Sequence, residues 1–258
     1  MRLYILLFLL LFQFSYSQKA ETLKLKNFKV ATLPDSIRET SGLILLKGRL
    51  YTINDSGNTS EIFEIDRKSG KILKKINTGL TNTDWEAIAT DSAQIYIGDF
   101  GNKSGTRRDL KIYKLPADSL ENLTSVSSIQ FSYPEQASFD AKPLDTDFDA
   151  EAMVAIHNRL HIFTKAWASK NVVHYTLDPA DITAQKAENL ESYKTGYHVT
   201  DAAYFNNKLY LVGYTKKTEV FLEIFNESSP GVFFQEKSRK FYLGSALNIG
   251  QIEGIAVD

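Results

Sequence analysis

Three observations predict an all-β chain folded as a β-propeller. Apolar residues fall in short alternating runs bounded by Gly, Asn, Asp and Lys, which is strand and hairpin patterning. Helical periodicity is nearly absent, its best candidate being a short turn around Pro116 to Leu120. A strand–turn–strand unit also recurs at intervals of about 50 residues, the signature of blades set around an axis.

Taken in order, the chain opens with MRLYILLFLLLFQFSYSQ. Arg2 gives a positive n-region, Tyr4 to Phe14 is an apolar run too short to span a bilayer, and Ser15 and Ser17 suit a signal-peptidase site. Residues 1–17 are therefore read as a signal peptide, and residues 18–258 as one propeller domain, secreted or periplasmic and free of the membrane after cleavage. No Cys occurs, which excludes disulfides, thiolate chemistry and Cys-ligated zinc. The net charge is −1 with no basic block, so nucleic acid is not an expected partner.

The segment LKLKNFKVATLP precedes the first repeat and is expected to close the ring as an outer strand of the last blade. The repeats follow as TSGLILLKGRLYTINDSGN, DWEAIATDSAQIYIGDFGN, DAEAMVAIHNRLHIFTKAW and VTDAAYFNNKLYLVGYTKK, and a fifth starts as QIEGIAVD. Outer strands come from the intervening segments, including EIFEIDRKSGKILKKI with its Lys68-Ser69-Gly70 turn, LKIYKLP and VVHYTLDP. Five starts predict five blades, with six as the alternative count and the last blade incomplete and C-terminally truncated. A sandwich would not explain the repeat.

Each repeat begins with a polar residue: Ser41, Glu86, Glu151, Asp201 and Glu253, at spacings of 45, 65, 50 and 52 residues. First strands line a propeller's channel, so these five are predicted to form one ring. Clustered carboxylates raise one another's pKa and call for protons or a cation. Their hard oxygens, without His or Cys, select Ca²⁺ or Mg²⁺, and a wide ring favours Ca²⁺. Alternatively, each acid caps a strand or accepts backbone N–H groups of the next blade. In TNTDWEAIATD, Glu86 joins the ring, Trp85 packs between blades, and Asp84 only leads into the strand. Asp145, Asp147 and Asp149 form a polar loop with the makings of a second, weak Ca²⁺ site, although the Gly of an EF-hand loop is absent.

The loops after the second strands, NDSGN, DFGNKSGTRRD, TKAWASKN and GYTKK, surround the channel mouth. Asp55 and Asp99 are the candidate bases there. Asn54, Arg107, Arg108, Lys165, Trp167 and Tyr214 are candidate contacts for a phosphorylated small molecule, since cations beside a metal suit phosphate. Turn chemistry alone explains Ser56, Gly57, Gly101 and Gly105. DFG at 99–101 lacks the other kinase motifs, and no Walker loop, G-x-S-x-G or H-E-x-x-H occurs. His157, His161, His174 and His198 do not group at ligand spacing.

The ring pattern resembles the calcium-activated nucleotidases, or apyrases, five-bladed propellers with a Ser, Glu, Glu, Ser, Glu series around a central Ca²⁺. Ser41 in TSGL, Glu86 in DWEAIA, Glu151 in DAEAM and Glu253 in IEGIA match four of the five, while Asp201 stands in place of the second Ser. GRLYTINDSGN is similar to that family's first-blade strand and loop. The resemblance covers the channel strands and one loop, and it implies a propeller with a central Ca²⁺. A looser likeness runs to uncharacterised exported bacterial propellers and to phytase-like propellers. Two functions follow as expectations: Ca²⁺-dependent hydrolysis of phosphate esters or anhydrides, or non-catalytic binding of a ligand or protein with a structural Ca²⁺.

Overall fold

Tight hairpins start the repeats. Lys47-Gly48, His157-Asn158 and Asn206-Asn207 all have φ between 49° and 77°, the paired left-handed conformation of a type I′ turn, whose twist matches that of the flanking strands. The computed structural model describes residues 20–120, 123 and 125–258. After β1 (Glu21–Thr22), the first repeat forms β2 (Thr40–Leu46), β3 (Arg49–Asn54), β4 (Glu61–Ile65) and β5 (Ile72–Asn77). The second forms β6 (Trp85–Thr90), β7 (Gln94–Asp99), β8 (Lys111–Pro116) and β9 (Ser127–Ser132). The third forms β10 (Ala150–Ile156), β11 (Arg159–Thr164) and β12 (Val172–Leu177), then β13 (Gln185–Lys186) and β14 (Glu188–Tyr193). The fourth forms β15 (His198–Phe205), β16 (Lys208–Tyr214), β17 (Glu219–Asn226) and β18 (Arg239–Ser245).

Each repeat is an antiparallel four-stranded blade, and two blades gain a short parallel strand. β13 leaves the third repeat to pair with β9 of blade two, and β1 pairs with β18 of blade four. The N-terminal segment thus reaches the expected edge, but through Glu21–Thr22; Leu25–Phe28 coils into a 3₁₀ turn. Inner strands β2, β6, β10 and β15 stand side by side around the axis. The core lies between blades: Ile44, Ile53, Trp85, Ile88 and Ile97 join blades one and two, Phe100, Phe131, Met153 and Tyr175 join two and three, and Phe163, Tyr197, Leu211 and Phe225 join three and four. Trp85 is fully buried edge-on to Tyr113, as the sequence suggested.

The blade count corrects the expectation. The described residues form four blades, neither five nor six. The fifth repeat start, residues 251–258, is not a strand. It lies instead between blades four and one. Gly42 N–H donates to the Glu253 carbonyl at 2.7 Å, Ile255 N–H donates to Asp201 Oδ2 at 2.7 Å, and Thr200 Oγ1 donates to the Ile252 carbonyl at 2.5 Å. The signal peptide read at residues 1–17 lies outside the described residues. Among those, no helix is long and apolar enough to cross a membrane.

Candidate metal centre at the channel mouth

The inner hairpins all bulge at their heads. Register shifts between Ser41 and Leu43, Trp85 and Ala87, Ala150 and Ala152, and Val199 and Asp201 leave Gly42, Glu86, Glu151 and Thr200 as the extra residues. The predicted ring therefore mixes two phases. Glu86 and Glu151 are bulge residues; Ser41 and Asp201 stand one place away, and one residue turns a strand side chain to the opposite face. Gly42 is required where it stands: its φ is +77°, and a Cβ there would lie 2.9 Å from Ile88 N.

The two out-of-phase residues act as strand ties. Ser41 Oγ donates to the Glu86 carbonyl at 2.7 Å, joining β2 to β6. Asp201 is fully buried and accepts the Ile255 amide. Burial holds its carboxyl well above the usual range, opposed by the amides of Ile255, Ala202 and Leu43. Both match the backbone-capping alternative rather than a shared ion.

Glu151 already has a cation. Lys165 Nζ donates to Glu151 Oε2 at 2.5 Å and to Tyr214 Oη at 3.4 Å, with both members of the ion pair buried. Burial pushes the Glu151 carboxyl up while Lys165 opposes it. Burial alone would lower the Lys165 ammonium, but Glu151 raises it. Trp167 and Tyr214 place their rings 5.0 and 5.3 Å from the ammonium. The mouth loops thus bring Lys165, Trp167 and Tyr214 together as expected, with Lys165 turned inward. Neighbouring Asp149 accepts Asn102 N–H at 2.5 Å and Trp167 Nε1–H at 2.7 Å. Burial carries its pKa to about 6, with those two hydrogen bonds opposing. Asp147 accepts the amides of Ala168 and Ser169, so the 145–149 run braces a loop.

Asp55, Asp84 and Glu86 have no such cation, although Ser56 donates its amide to Asp55 and its hydroxyl to Asp84. One carboxylate oxygen from each lies within 4.8 Å of the others, and none forms an ion pair with Lys or Arg among the described residues. Burial, reinforced by Glu151, Asp55, Asp149 and Asp84, holds the Glu86 carboxyl well above its usual range. Asp84 is also raised, mainly by burial. Glu253 completes the rim; burial pushes it up to about 7, with Lys165 opposing and Asp55 adding.

The donor set fits a hard divalent cation. Two oxygens bound to one Ca²⁺ at 2.3–2.6 Å stand no more than about 5 Å apart, and the 4.8 Å spread meets that limit. Room is supplied by Gly101, where a Cβ would overlap the Asp84 carboxylate and come within 2.5 Å of Glu86 Oε1. The turn reading of Gly101 therefore gives way to close approach.

Asp84 and Asn82 are the residues that sequence reasoning missed. Asn82 Nδ2 donates to the carbonyls of Asn54 and Asp55, and its Oδ1 accepts Trp85 N–H, which fixes the loop of blade one against the head of β6. The available signal was the Asp two places before each Glu, in DWE and again in DAE.

Other candidates are occupied structurally. Asp99 is fully buried, accepts Asp84 N–H at 3.1 Å and pairs with Arg107 at 2.9 Å. Arg107 also binds Asp109 and the Gly101 carbonyl. Asp99, expected as a base, and Arg107, expected to hold phosphate, satisfy each other here and pin the loop. Asn54 Nδ2 donates to the Ser36 carbonyl from a buried position, a packing role instead of a ligand contact. Arg108 stacks on Phe139, 3.6 Å from the ring centroid, away from the mouth acids. His161 and His174, which showed no grouping in sequence, hydrogen-bond at 2.8 Å, and His174 pairs with Glu191.

No family model matches the chain, and no curated protein matches it, so the resemblance to calcium-activated nucleotidases gains no support there. Among solved structures, a Bacteroides uniformis protein assigned as a 6-phosphogluconolactonase is similar at 12% identity, over 86% of this chain and 61% of that one, with a TM-score of 0.42. A Lactobacillus plantarum protein is similar at 17% identity, over 77% and 55%, with a TM-score of 0.40. An α-L-arabinofuranosidase of Clostridium thermocellum is similar at 11% identity, over 77% and 71%, with a TM-score of 0.47. The chain spans 61% of the length of the first of these. The four blades themselves, rather than these likenesses, establish the chain as a β-propeller.

Proposed function

We propose that this is an exported Ca²⁺-binding propeller whose ion sits at the channel mouth on Asp55, Asp84 and Glu86, and whose first role is ligand or protein binding with the ion as a staple. The observation that carries the reading is the set of three carboxylates, none in an ion pair among the described residues, around the space left by Gly101. Asp55 follows β3, whereas Asp84 and Glu86 head β6, so the ion would join blade one to blade two. With no Cys in the chain and only oxygen donors, the set favours Ca²⁺ over zinc or copper, and water would fill its remaining positions.

Hydrolysis of phosphate esters or anhydrides is the second reading, and Glu253 is what favours it. Its carboxyl, pushed up to about 7 beside Lys165, is suited to hold or give a proton near neutral pH. A bound ion would supply Lewis-acid polarisation of a phosphoryl oxygen. Two measurements separate the readings: melting temperature with Ca²⁺ against chelator, and phosphate release from nucleoside di- and triphosphates and phytate. Stabilisation by Ca²⁺ without turnover supports binding, and Ca²⁺-dependent release supports hydrolysis. No effect of Ca²⁺ on stability or turnover overturns both.

A further inference from the structure

Arg108 and the two-residue strand β13 are left without a role by the metal centre. They meet at a groove of about 350 Å³ on the flank of blade two, lined by Arg108, Leu110, Phe131, Pro134, Phe139 and Lys186, with Arg107 at its edge. We propose that this groove binds an oxyanion, the phosphate or carboxylate head of a small organic molecule with an apolar body.

The charge is one-sided. No Asp or Glu lines the groove, and the acids nearest in sequence are engaged elsewhere: Asp109 by Arg107, Glu135 by Tyr175 and Asn189, and Asp140 by Ser138. Arg107 is spent on Asp99, Asp109 and Gly101. Arg108 and Lys186 are exposed and form no ion pair among the described residues. Phe139 takes one face of the Arg108 guanidinium at 3.6 Å. Stacking of that kind orients the plane and leaves its N–H edge for bidentate contact with a carboxylate or phosphate.

The second cation arrives by topology. β13 crosses from the third repeat to pair in parallel with β9, Lys186 opposite Ser132, and Ala187 N–H donates to the Ser132 carbonyl at 2.9 Å. A strand of two residues contributes little burial, yet it delivers Lys186 to the groove. Leu110 and Phe131 are buried beneath the floor, the more exposed Pro134 and Phe139 offer apolar surface for a ligand's body, and the volume is within the range of small-molecule sites. Asp55, Asp84 and Glu86 do not line the groove, so it is separate from the metal centre.

The test titrates residues 18–258 with phenyl phosphate, benzoate and inorganic phosphate in the presence of a chelator, followed by calorimetry and by protein NMR. Saturable one-to-one binding of phenyl phosphate or benzoate is expected, and the tighter of the two identifies the head group. Arg108→Ala should weaken it about tenfold or more and Lys186→Ala by a smaller factor, as expected for loss of charge-assisted contacts, while Glu86→Gln leaves it unchanged. Both cations are exposed, so these variants retain the fold. Absence of saturable binding of either probe at ~10 mM, where even millimolar sites are filled, overturns the proposal. So does an affinity that Arg108→Ala does not change. Inorganic phosphate binding as tightly as phenyl phosphate would remove the apolar body from it.

Discussion

Asp84-Trp85-Glu86 and Asp149-Ala150-Glu151 occupy the same place in adjacent blades, each Glu being the extra residue of a bulge at the head of an inner strand. Blade three compensates its acids. Glu151 meets Lys165, and Asp149 meets the Asn102 amide and the Trp167 indole. Blade two does not. The hairpin register that pairs Ala150 with Thr164 pairs Trp85 with Asp99, so the counterpart of Lys165 is Phe100, which turns into the core against Phe131. Next comes Gly101, with no side chain at all beside Asp84 and Glu86. The same motif thus closes on an internal cation in one blade and is left open for an external one in the other.

The largest way to break this contrast is Lys165→Met. It leaves Glu151 buried without its ammonium, a change that costs about 3–5 kcal/mol when one member of a buried pair is removed. Urea unfolding should register that loss, and added Ca²⁺ should recover part of it; a loss below ~1 kcal/mol, the value of an exposed pair, would mean that Lys165 is not the counter-charge. Gly101→Ala comes next. Its methyl group occupies the space between Asp84 and Glu86, so Ca²⁺ affinity by calorimetry should fall by about tenfold or more, ~1.4 kcal/mol at least.

Acidity sharpens the comparison. The carboxyls of Asp84, Glu86, Asp149 and Glu253 are all raised in the fold. A raised acid binds more protons folded than unfolded, so without an ion it withdraws stability as pH rises from its unfolded value through its folded one. For Asp149 that window runs from 3.8 to about 6, and for Glu253 from 4.5 to about 7. Buried His161 acts in the opposite sense: its pKa, lowered by burial from 6.5 to about 3, makes stability rise with pH across that interval. The difference in melting temperature between Ca²⁺ and chelator cancels the histidine contribution. It should amount to several degrees at pH 7.5 and shrink towards pH 5, as protons compete for Asp84 and Glu86. A shift independent of pH would count against these ligands. The smallest effect belongs to Asp109→Asn. Asp109 is 59% exposed and Arg107 keeps Asp99, so stability should change by less than ~1 kcal/mol and Ca²⁺ binding not at all.

The blades were legible in the sequence because alternation, type I′ turn residues and the repeat all act locally. The blade count was not, because a repeat start becomes a strand only with a partner, and residues 251–258 accept the Gly42 amide and the Thr200 hydroxyl but form no hairpin. Alignment placed Glu86 and Glu151 at one phase, as the extra residues of their bulges. Ser41 and Asp201 stand one residue from that phase, since a bulge shifts phase without changing composition. Asp84 was overlooked for a different reason: whether an acid has a partner depends on what crosses from the neighbouring loop, and Lys165 and Phe100 read alike as residues after a strand.

Replacing the first acid of each motif tests the contrast most directly. Asp84→Asn and Asp149→Asn are near-isosteric and make the same change in adjacent blades, one at the open site and one at the acid held by Asn102 and Trp167. Metal analysis and Ca²⁺ calorimetry should find one ion per chain in the unaltered protein and in Asp149→Asn, and a large loss in Asp84→Asn. Equal binding by the two variants, whether both keep the ion or both lose it, would contradict the assignment of the metal centre to blades one and two.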